Sequence, residues 1–356
     1  MHLEDGQIPE EYKQYTGRKA AFIAVGFILL LIILVFSISV GAVRVPPPDV
    51  VRTLLGKTVS ERYDIIIWNI RLPQALTAIV SGIGLAVSGA AMQSILRNPI
   101  GSPFTLGISQ AAAFGAAFSV MVLGTGAMHS TGANAVAISN PYITTLVAFL
   151  FSLVGVGVIL LITRIRRASP EVMVLAGVAM GSLFTAGTMF LQYFADDVQL
   201  AAMVFWTFGD TARASWKELG FITVVVILAC VYFMFNRWNY NAIDAGDETA
   251  NGLGVNVKRV RISGMLVASI VTAIIVSFLG IIGFVGLVCP HIVRRLIGDD
   301  HRFLIPGTSI MGAILLLTSD TVARTMLAPH ILPVSILTSF LGAPVFVYLL
   351  IRGYKR

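Results

Sequence analysis

Residues 71–110 read RLPQALTAIVSGIGLAVSGAAMQSILRNPIGSPFTLGISQ and are the most informative part of this chain. The segment carries no charged residue between its first position and Arg97, which is long enough to cross the hydrocarbon core of a bilayer. Gly82, Ala86 and Ala90 recur at every fourth position, so one face of the predicted helix is nearly smooth. Such a face lets another backbone approach closely. We therefore predict a membrane helix that packs inside a bundle.

The composition of the whole chain agrees with a membrane protein. Of 356 residues, 56% are hydrophobic and only 12% are charged, against roughly a quarter in a soluble domain. The net charge of +7 comes from Lys and Arg residues at the ends of apolar runs, which indicates membrane topology rather than nucleic-acid binding. Cys230 and Cys289 form no CxxC pair, so no disulfide framework is expected. These features predict an all-α, polytopic protein whose surroundings are the lipid bilayer.

Apolar runs predict about ten transmembrane helices, of which the third and eighth are short or interrupted by Gly and Pro. Residues 1–18 are expected to form a cytoplasmic N-terminal tail, because they lack the basic start of a signal peptide, and 19–356 a single transmembrane domain. The runs fall at about 19–41, 66–96, 103–124, 141–163, 171–195, 217–235, 261–282, 284–297, 303–327 and 332–351.

Basic residues predict the orientation of these helices. If the N-terminus is cytoplasmic and all ten helices cross, 17 of the 25 Lys and Arg residues lie inside and 8 outside. Basic residues concentrate on the cytoplasmic side of membrane proteins. We therefore expect a multi-pass protein of the cell membrane with both termini in the cytoplasm.

An internal repeat is suggested by laying residues 71–99 on residues 262–290. Gly89 then meets Gly280 and Pro99 meets Pro290, and helices two to five pair with helices seven to ten. An offset of five helices makes the two halves face opposite ways across the membrane. Inverted repeats of this kind are common in transport proteins.

The motifs that are missing limit the possible chemistry. The chain has no GxxxxGK[ST] phosphate loop, no HExxH and no Cys/His cluster with metal-binding spacing, so no metal site or cofactor of its own is expected. Asp320 stands four residues before Arg324, a spacing that suits an ion pair on one helix. Three classes of function are considered: a transport subunit energised by a partner, an ion-coupled transporter that uses Asp320, and an intramembrane enzyme. The third is disfavoured because the sequence shows no nucleophile–base constellation.

The longest polar stretch between apolar runs is residues 241–261, NAIDAGDETANGLGVNVKRVR. Asp244, Asp247 and Glu248 cluster at its start and Gly254 follows, a pattern that favours a short surface helix. Two interpretations remain open: an ordinary solvated loop, and a helix that docks into the groove of a partner.

Several stretches together resemble one known family. Besides residues 71–110, they are VLAGVAMG from Val174, GFVGLVCPHIVRR from Gly283 and SFLGAPVFVYLL from Ser339. From about Trp68 to its C-terminus the chain is similar to the FecCD-like permease subunits of binding-protein-dependent ABC importers for iron-siderophore complexes, haem and cobalamin.

The resemblance implies a type II ABC importer permease that is itself not an enzyme. It implies ten helices per subunit, a homodimer, two ATP-binding cassette subunits that bind ATP and Mg, and an extracytoplasmic substrate-binding protein. The cargo would be a bulky metal chelate. Iron(III)-siderophore is the commonest assignment in the family, with haem or cobalamin as alternatives.

The resemblance also assigns roles to individual residues. It implies that Arg71 and Arg324 dock the binding protein. The alternative for Arg71 is a helix-end arginine whose side chain reaches the lipid headgroups, and the alternative for Arg324 is an ion pair with Asp320. Contact with the ATPase falls to Asp247, Glu248, Ala250, Leu253 and Gly254, within segment 241–261.

Two further groups belong to the gate and the pathway. The cytoplasmic gate comprises Asn98, Pro99, Ile100, Ser169 and Pro170, where a short rigid turn is the alternative. The pathway helix would present Gly177, Met180, Gly181, Phe190 and Tyr193, where a packing face is the alternative.

Overall fold

The computed structural model describes residues 10–57, 59–128, 136–138, 140–165, 169–327 and 330–351. Two three-residue strands, β1 (Gly126–Met128) and β2 (Val136–Ile138), pair antiparallel, and everything else with regular structure in these ranges is helical. The helices are α1 (Glu10–Ser39), α2 (Pro47–Leu54), α3 (Glu61–Ile65), α4 (Leu72–Ile95), α5 (Ile108–Val122), α6 (Pro141–Ile165), α7 (Pro170–Phe194), α8 (Asp197–Thr207), α9 (Trp216–Phe235), α10 (Arg237–Asp244), α11 (Asp247–Gly252), α12 (Val257–Leu279), α13 (Val285–Ile297), α14 (His301–Thr325) and α15 (Val334–Ile351).

Helix length and composition confirm the predicted membrane class. Within the described residues, seven helices are long and apolar enough to cross a bilayer, and two shorter apolar helices lie at Ile108–Val122 and Val334–Tyr348. The predicted eighth helix, α13, has only 13 residues and carries Arg294 and Arg295 in its last turn. The predicted third and eighth helices are indeed short, as is the apolar part of the tenth, and ten complete crossings stay a prediction.

Two predicted helix starts are wrong. Helix α1 begins at Glu10, so half of the predicted tail is helical. Helices α3 and α4 are joined through a π-helical turn, Ile66–Arg71, into one helix of 35 residues, Glu61–Ile95. Pro73 lacks an amide hydrogen, and the wider turn immediately before it accommodates that loss. Arg71 consequently lies within a continuous helix and does not begin one.

Helix α4 is the centre of the bundle and packs through its small residues. A Cβ atom on Gly82 would overlap the carbonyl oxygen of Gly312 on α14, and one on Gly312 would overlap both Gly82 and Ala86. One to two turns further, Gly89 touches the backbone of Gly286 on α13 in the same way. The predicted smooth face is therefore confirmed, and it brings α4 into backbone contact with two other helices.

The second half of the chain repeats the helix pattern of the first. Helices α4 to α7 have 24, 15, 25 and 25 residues, and α12 to α15 have 23, 13, 25 and 18. The residue-by-residue register predicted above is wrong, because Gly89 lies inside α4 whereas Gly280 ends α12. Pro99 likewise stands in a turn and Pro290 inside α13. The connection after α4 is longer than that after α12, which shifts the two halves out of the predicted alignment.

Candidate functional site

The predicted surface helix in segment 241–261 is present as α11. Gly246, with φ of 121°, precedes it, and Gly254, with φ of 83°, closes the turn that follows it. Ala250 is fully buried and anchors the helix, whereas Leu253 is 70% exposed. Glu248 is also exposed. The helix therefore presents an apolar and an acidic side chain to the outside of the subunit.

A buried arginine ties α11 to the end of α4. Both terminal nitrogens of Arg261 donate to the Asp247 carboxylate, at 3.1 and 3.0 Å, and its Nε donates to the carbonyl oxygen of Ile95 at 2.9 Å. A guanidinium with two parallel bonds to a carboxylate is held in orientation as well as in position. Arg97, which follows α4, lies 4.0 Å from the same carboxylate. Asp247 thus connects the predicted coupling helix to the predicted gate.

The first predicted gate segment, Asn98 to Ile100, is a turn fixed by its own hydrogen bonds. The Asn98 Oδ1 accepts the amide hydrogen of Ile100 at 2.9 Å. The Gln93 side chain donates to the carbonyl oxygens of Pro99, at 2.9 Å, and Leu287, at 3.2 Å. The turn is therefore attached both to α4 and to α13, as a short rigid element, and its gating role stays a prediction.

The second predicted gate segment begins α7. The Ser169 hydroxyl accepts the amide hydrogen of Val172 at 3.4 Å, and Pro170 is the first residue of the helix. Serine at the N-cap and proline at the first position are preferred at helix starts. This geometry explains both residues locally and leaves their role in gating as a prediction.

Five polar residues from four helices form a second cluster beside the gate turn: Ser94 of α4, Asn241 and Asp244 of α10, Arg294 of α13 and His301 of α14. We call it the Ser94 cluster. The Ser94 hydroxyl donates to Asp244 at 3.1 Å and accepts from Arg294 at 2.9 Å, and the His301 Nε2 lies 3.0 Å from the same oxygen. The His301 Nδ1 lies 2.8 Å from the Asn241 Oδ1. Ser94 is 1% and His301 0% exposed, so these bonds are shielded from water.

The pKa values of two acids at this end of the bundle are shifted in opposite directions. Burial raises the pKa of Asp244, although Arg294 and the Ser94 hydroxyl oppose the shift. Burial also acts on Asp300, the N-cap of α14, but hydrogen bonds from Arg302 and Asn241 prevail and lower its pKa to about 2. In the part of the chain that the structure describes, no three His, Cys, Asp or Glu side chains form a metal-binding group.

At the opposite end, the structure contradicts the surface position that docking by Arg71 requires. Arg71 is 6% exposed, and its guanidinium donates to the carbonyl oxygens of Ile38 at 2.6 Å, Ser39 at 3.3 Å and Val43. Ile38 and Ser39 are the last two residues of α1, where helix carbonyls lack intrahelical partners, and Val43 follows the helix. Arg71 thus caps α1 from inside the protein.

The predicted ion pair between Asp320 and Arg324 is confirmed, at 3.0 Å. Asp320 also accepts hydrogen bonds from Gln74 at 2.9 Å and Thr211 at 2.5 Å. It is therefore fully partnered, which is unlike the lone acid of a proton-coupled pathway. Arg324 and the exposed Arg44 line a common groove of about 740 Å³.

The five residues predicted for the pathway helix fall into three groups by exposure. Gly177 and Gly181 of α7 are buried against Leu106 and Gly107, which precede α5, so they form a packing face rather than a lining. Met180 is half-buried in the core. Exposed side chains of the group are Phe190, at 64%, and Tyr193, at 83%.

The sequence and the fold of this chain match those of known proteins. The model of the FecCD transport family matches residues 29–352. The chain belongs to the FecCD transport family. It is thus an ABC transporter permease, a transport subunit rather than an enzyme, and ATP hydrolysis is carried out by a separate subunit.

Similarity to individual proteins extends over the whole length. A protein of Methanocaldococcus jannaschii described as an ABC transporter permease is 56% identical over 98% of this chain and 99% of its own. The hemin transport system permease protein HmuU of Yersinia pestis is 36% identical over 96% of this chain and 99% of its own. Among solved structures, an inward-facing metal-chelate type ABC transporter superposes with a TM-score of 0.81, at 28% identity, over 94% of this chain and all of its own.

Proposed function

We propose that this FecCD-family permease imports a bulky metal chelate as a homodimer, with two ATP-binding cassette subunits and an extracytoplasmic binding protein. The observation that carries this proposal is the path from the exposed Leu253 through Asp247 and Arg261 to the carbonyl of Ile95. A partner that binds α11 and changes its position would thereby move the end of α4 and the gate turn attached to it. Hydrolysis of ATP in that partner supplies the energy.

An iron(III)-siderophore is our first candidate for the cargo. The similarity to a metal-chelate type transporter supports the chelate class. Haem is the second candidate, favoured by the similarity to the hemin permease HmuU. Cobalamin is the third candidate, carried by the same mechanism.

Ion coupling is the competing mechanism and finds no support in the environment of Asp320. Its carboxylate accepts hydrogen bonds from Gln74, Thr211 and Arg324, and the residue is 2% exposed. Protonation of Oδ2 would disrupt the ion pair with Arg324, and protonation of Oδ1 would disrupt the hydrogen bonds from Gln74 and Thr211. An acid held in this way is suited to joining helices and is poorly placed to exchange protons during transport.

Docking of the binding protein is proposed at the groove lined by Arg44 and Arg324. Arg44 is exposed and would make the first contact; Arg324, in the last turn of α14, borders the same groove, with a side chain that is 9% exposed and bonded to Asp320 and Ser37. Both arginines lie on the side that the basic-residue bias assigns to the outside. A pair of such charges in each of two subunits would orient an acidic partner and accelerate its capture.

Reconstituted transport tests the proposal. The chain, its ATPase and its binding protein are placed in proteoliposomes, and uptake of a ferric siderophore and of haem is measured with and without ATP and with and without a proton gradient. We expect uptake that requires ATP and is indifferent to the gradient. Uptake without the ATPase would overturn the mechanism.

The coupling role of α11 has its own test. Leu253→Ser should weaken assembly with the ATPase without lowering the stability of the isolated chain, because the side chain is 70% exposed. Leu55→Ser is the matched control, because Leu55 is 73% exposed after α2, outside segment 241–261. Equal assembly of both variants would contradict the role of α11.

A further inference from the structure

A small, partly open cavity lies where the two halves of the chain meet. Its volume is about 150 Å³, and its walls come from Leu85 of α4, Thr272 of α12, the segment 102–109 and the segment 282–287. A drug-sized ligand requires roughly 300–1,000 Å³. The cavity is therefore too small for a metal chelate.

Each half of the repeat contributes equivalent elements to this cavity. Helices α4 and α12 are the first helices of the two halves, and α5 and α13 are the second. Both second helices start at the cavity, after Gly107 with φ of 76° and after Phe284 with φ of 66°, and neither N-cap supplies a side-chain hydrogen bond. The first turn of a helix carries amide hydrogens without intrahelical acceptors and a partial positive charge.

Two hydroxyl groups in the cavity wall have no hydrogen-bond partner. Ser109 is 1% exposed and Thr272 is 3% exposed, and among the residues that the structure describes neither oxygen has a donor or acceptor within reach. Buried polar groups in proteins are almost always bonded to the protein or to ordered water. Because the two unpartnered hydroxyls face open space beside the start of α5, they point to an occupant that accepts hydrogen bonds.

We propose that this cavity binds a small hydrogen-bond acceptor, either a few ordered water molecules or one halide ion, held between the starts of α5 and α13. A water molecule has a share of roughly 30 Å³ in the liquid, so the space is sufficient for either occupant. Both occupants would use the same donors, the hydroxyls of Ser109 and Thr272 and the first-turn amide hydrogens of α5; at α13 the amide hydrogens of Val285 and Leu287 are already bonded to Gly283 and Phe284. The site belongs to the single subunit and does not depend on the identity of the cargo.

The sign of a stability change distinguishes an occupied cavity from an empty one. In an empty cavity, removing an unpartnered hydroxyl relieves an unfavourable burial and raises stability. In an occupied cavity, the same change removes a hydrogen bond to the occupant and lowers stability. Ser269 supplies the control, because it stands on α12 one turn before Thr272, is fully buried and unpartnered, and does not line the cavity.

The experiment compares thermal unfolding midpoints of the full-length chain in detergent micelles. Ser109→Ala and Thr272→Val should unfold at lower temperature than the parent, Thr272→Ser should restore the midpoint, and Ser269→Ala should match or exceed it. Each measurement is made in sodium chloride and in sodium gluconate of equal ionic strength. A chloride-dependent midpoint that Thr272→Val abolishes identifies a halide, and equal midpoints in the two salts identify water. Midpoints of Ser109→Ala and Thr272→Val at or above the parent would overturn the proposal.

Discussion

Replacing Ser94 with alanine removes a hydroxyl that holds three helices to α4, at almost no change in volume. The hydroxyl bonds Asp244, Arg294 and His301 at 2.9 to 3.1 Å. Hydrogen bonds to charged groups contribute about 1.5–3 kcal/mol each. The losses do not add, because Arg294 keeps Asp299 at 3.0 Å and His301 keeps Asn241 at 2.8 Å. We therefore expect Ser94→Ala to lower the free energy of unfolding by about 2 kcal/mol.

Ser88→Ala provides the matched control on the same helix. Ser88 is fully buried, as Ser94 is, but its hydroxyl has no hydrogen-bond partner, so its removal should be neutral or stabilising. Thermal unfolding of both variants in detergent measures the difference in stability. Proteoliposomes then measure the ATP hydrolysed per chelate imported, which should rise only for Ser94→Ala, because α10 is no longer held to α4. Equal stability and equal coupling in the two variants would refute the role of the Ser94 cluster.

Three further predictions concern other parts of the molecule. Gly89→Ala should destabilise the chain by about 1–3 kcal/mol in thermal unfolding, because the methyl group overlaps Gly286; Gly157→Ala, where nothing lies within 4 Å, should be neutral or slightly stabilising. Arg71→Gln should lower stability, whereas Arg44→Gln should weaken binding-protein affinity by up to ~1 kcal/mol per contact and leave stability unchanged; a fully stable Arg71→Gln protein with weakened docking would restore the docking role. The pKa of Asp300 lies at about 2, below its ordinary 3.8, so its stabilising effect should be complete above about pH 4 and disappear as the pH falls toward 2; the unfolding midpoints of the parent and Asp300→Asn should therefore converge with falling pH.

Local patterns in the sequence predicted the features that depend on local physics. The smooth face at Gly82 and Ala86, the pairing of Asp320 with Arg324, and the short helix at Asp247 all follow from helical spacing and end preferences. Each of these predictions involves residues within one or two turns of a helix. Their confirmation required no knowledge of how distant segments meet.

Features built from distant segments could not be predicted in this way. Arg71 was expected at the surface, but its partners are backbone carbonyls about thirty residues earlier. Because every residue has a backbone carbonyl, the sequence does not indicate which of them an arginine will contact. The Ser94 cluster joins positions separated by up to about two hundred residues. A usable signal was the polar run Gly298 to Arg302 between two helices, which exceeds the needs of a short turn. This polar run indicates that a polar site is present, but it does not indicate which distant residues complete the Ser94 cluster.

The glycine contacts of α4 also restrict how this transporter can move. No rotatable side chain separates Gly82 from Gly312 or Gly89 from Gly286, so neither contact has an alternative rotamer to adopt. A sliding motion would drive a neighbouring Cβ atom into a backbone carbonyl. Helices α4, α13 and α14 therefore form one rigid frame within the subunit. Alternation between an outward and an inward state would then displace that frame as a whole, or move the other helices against it.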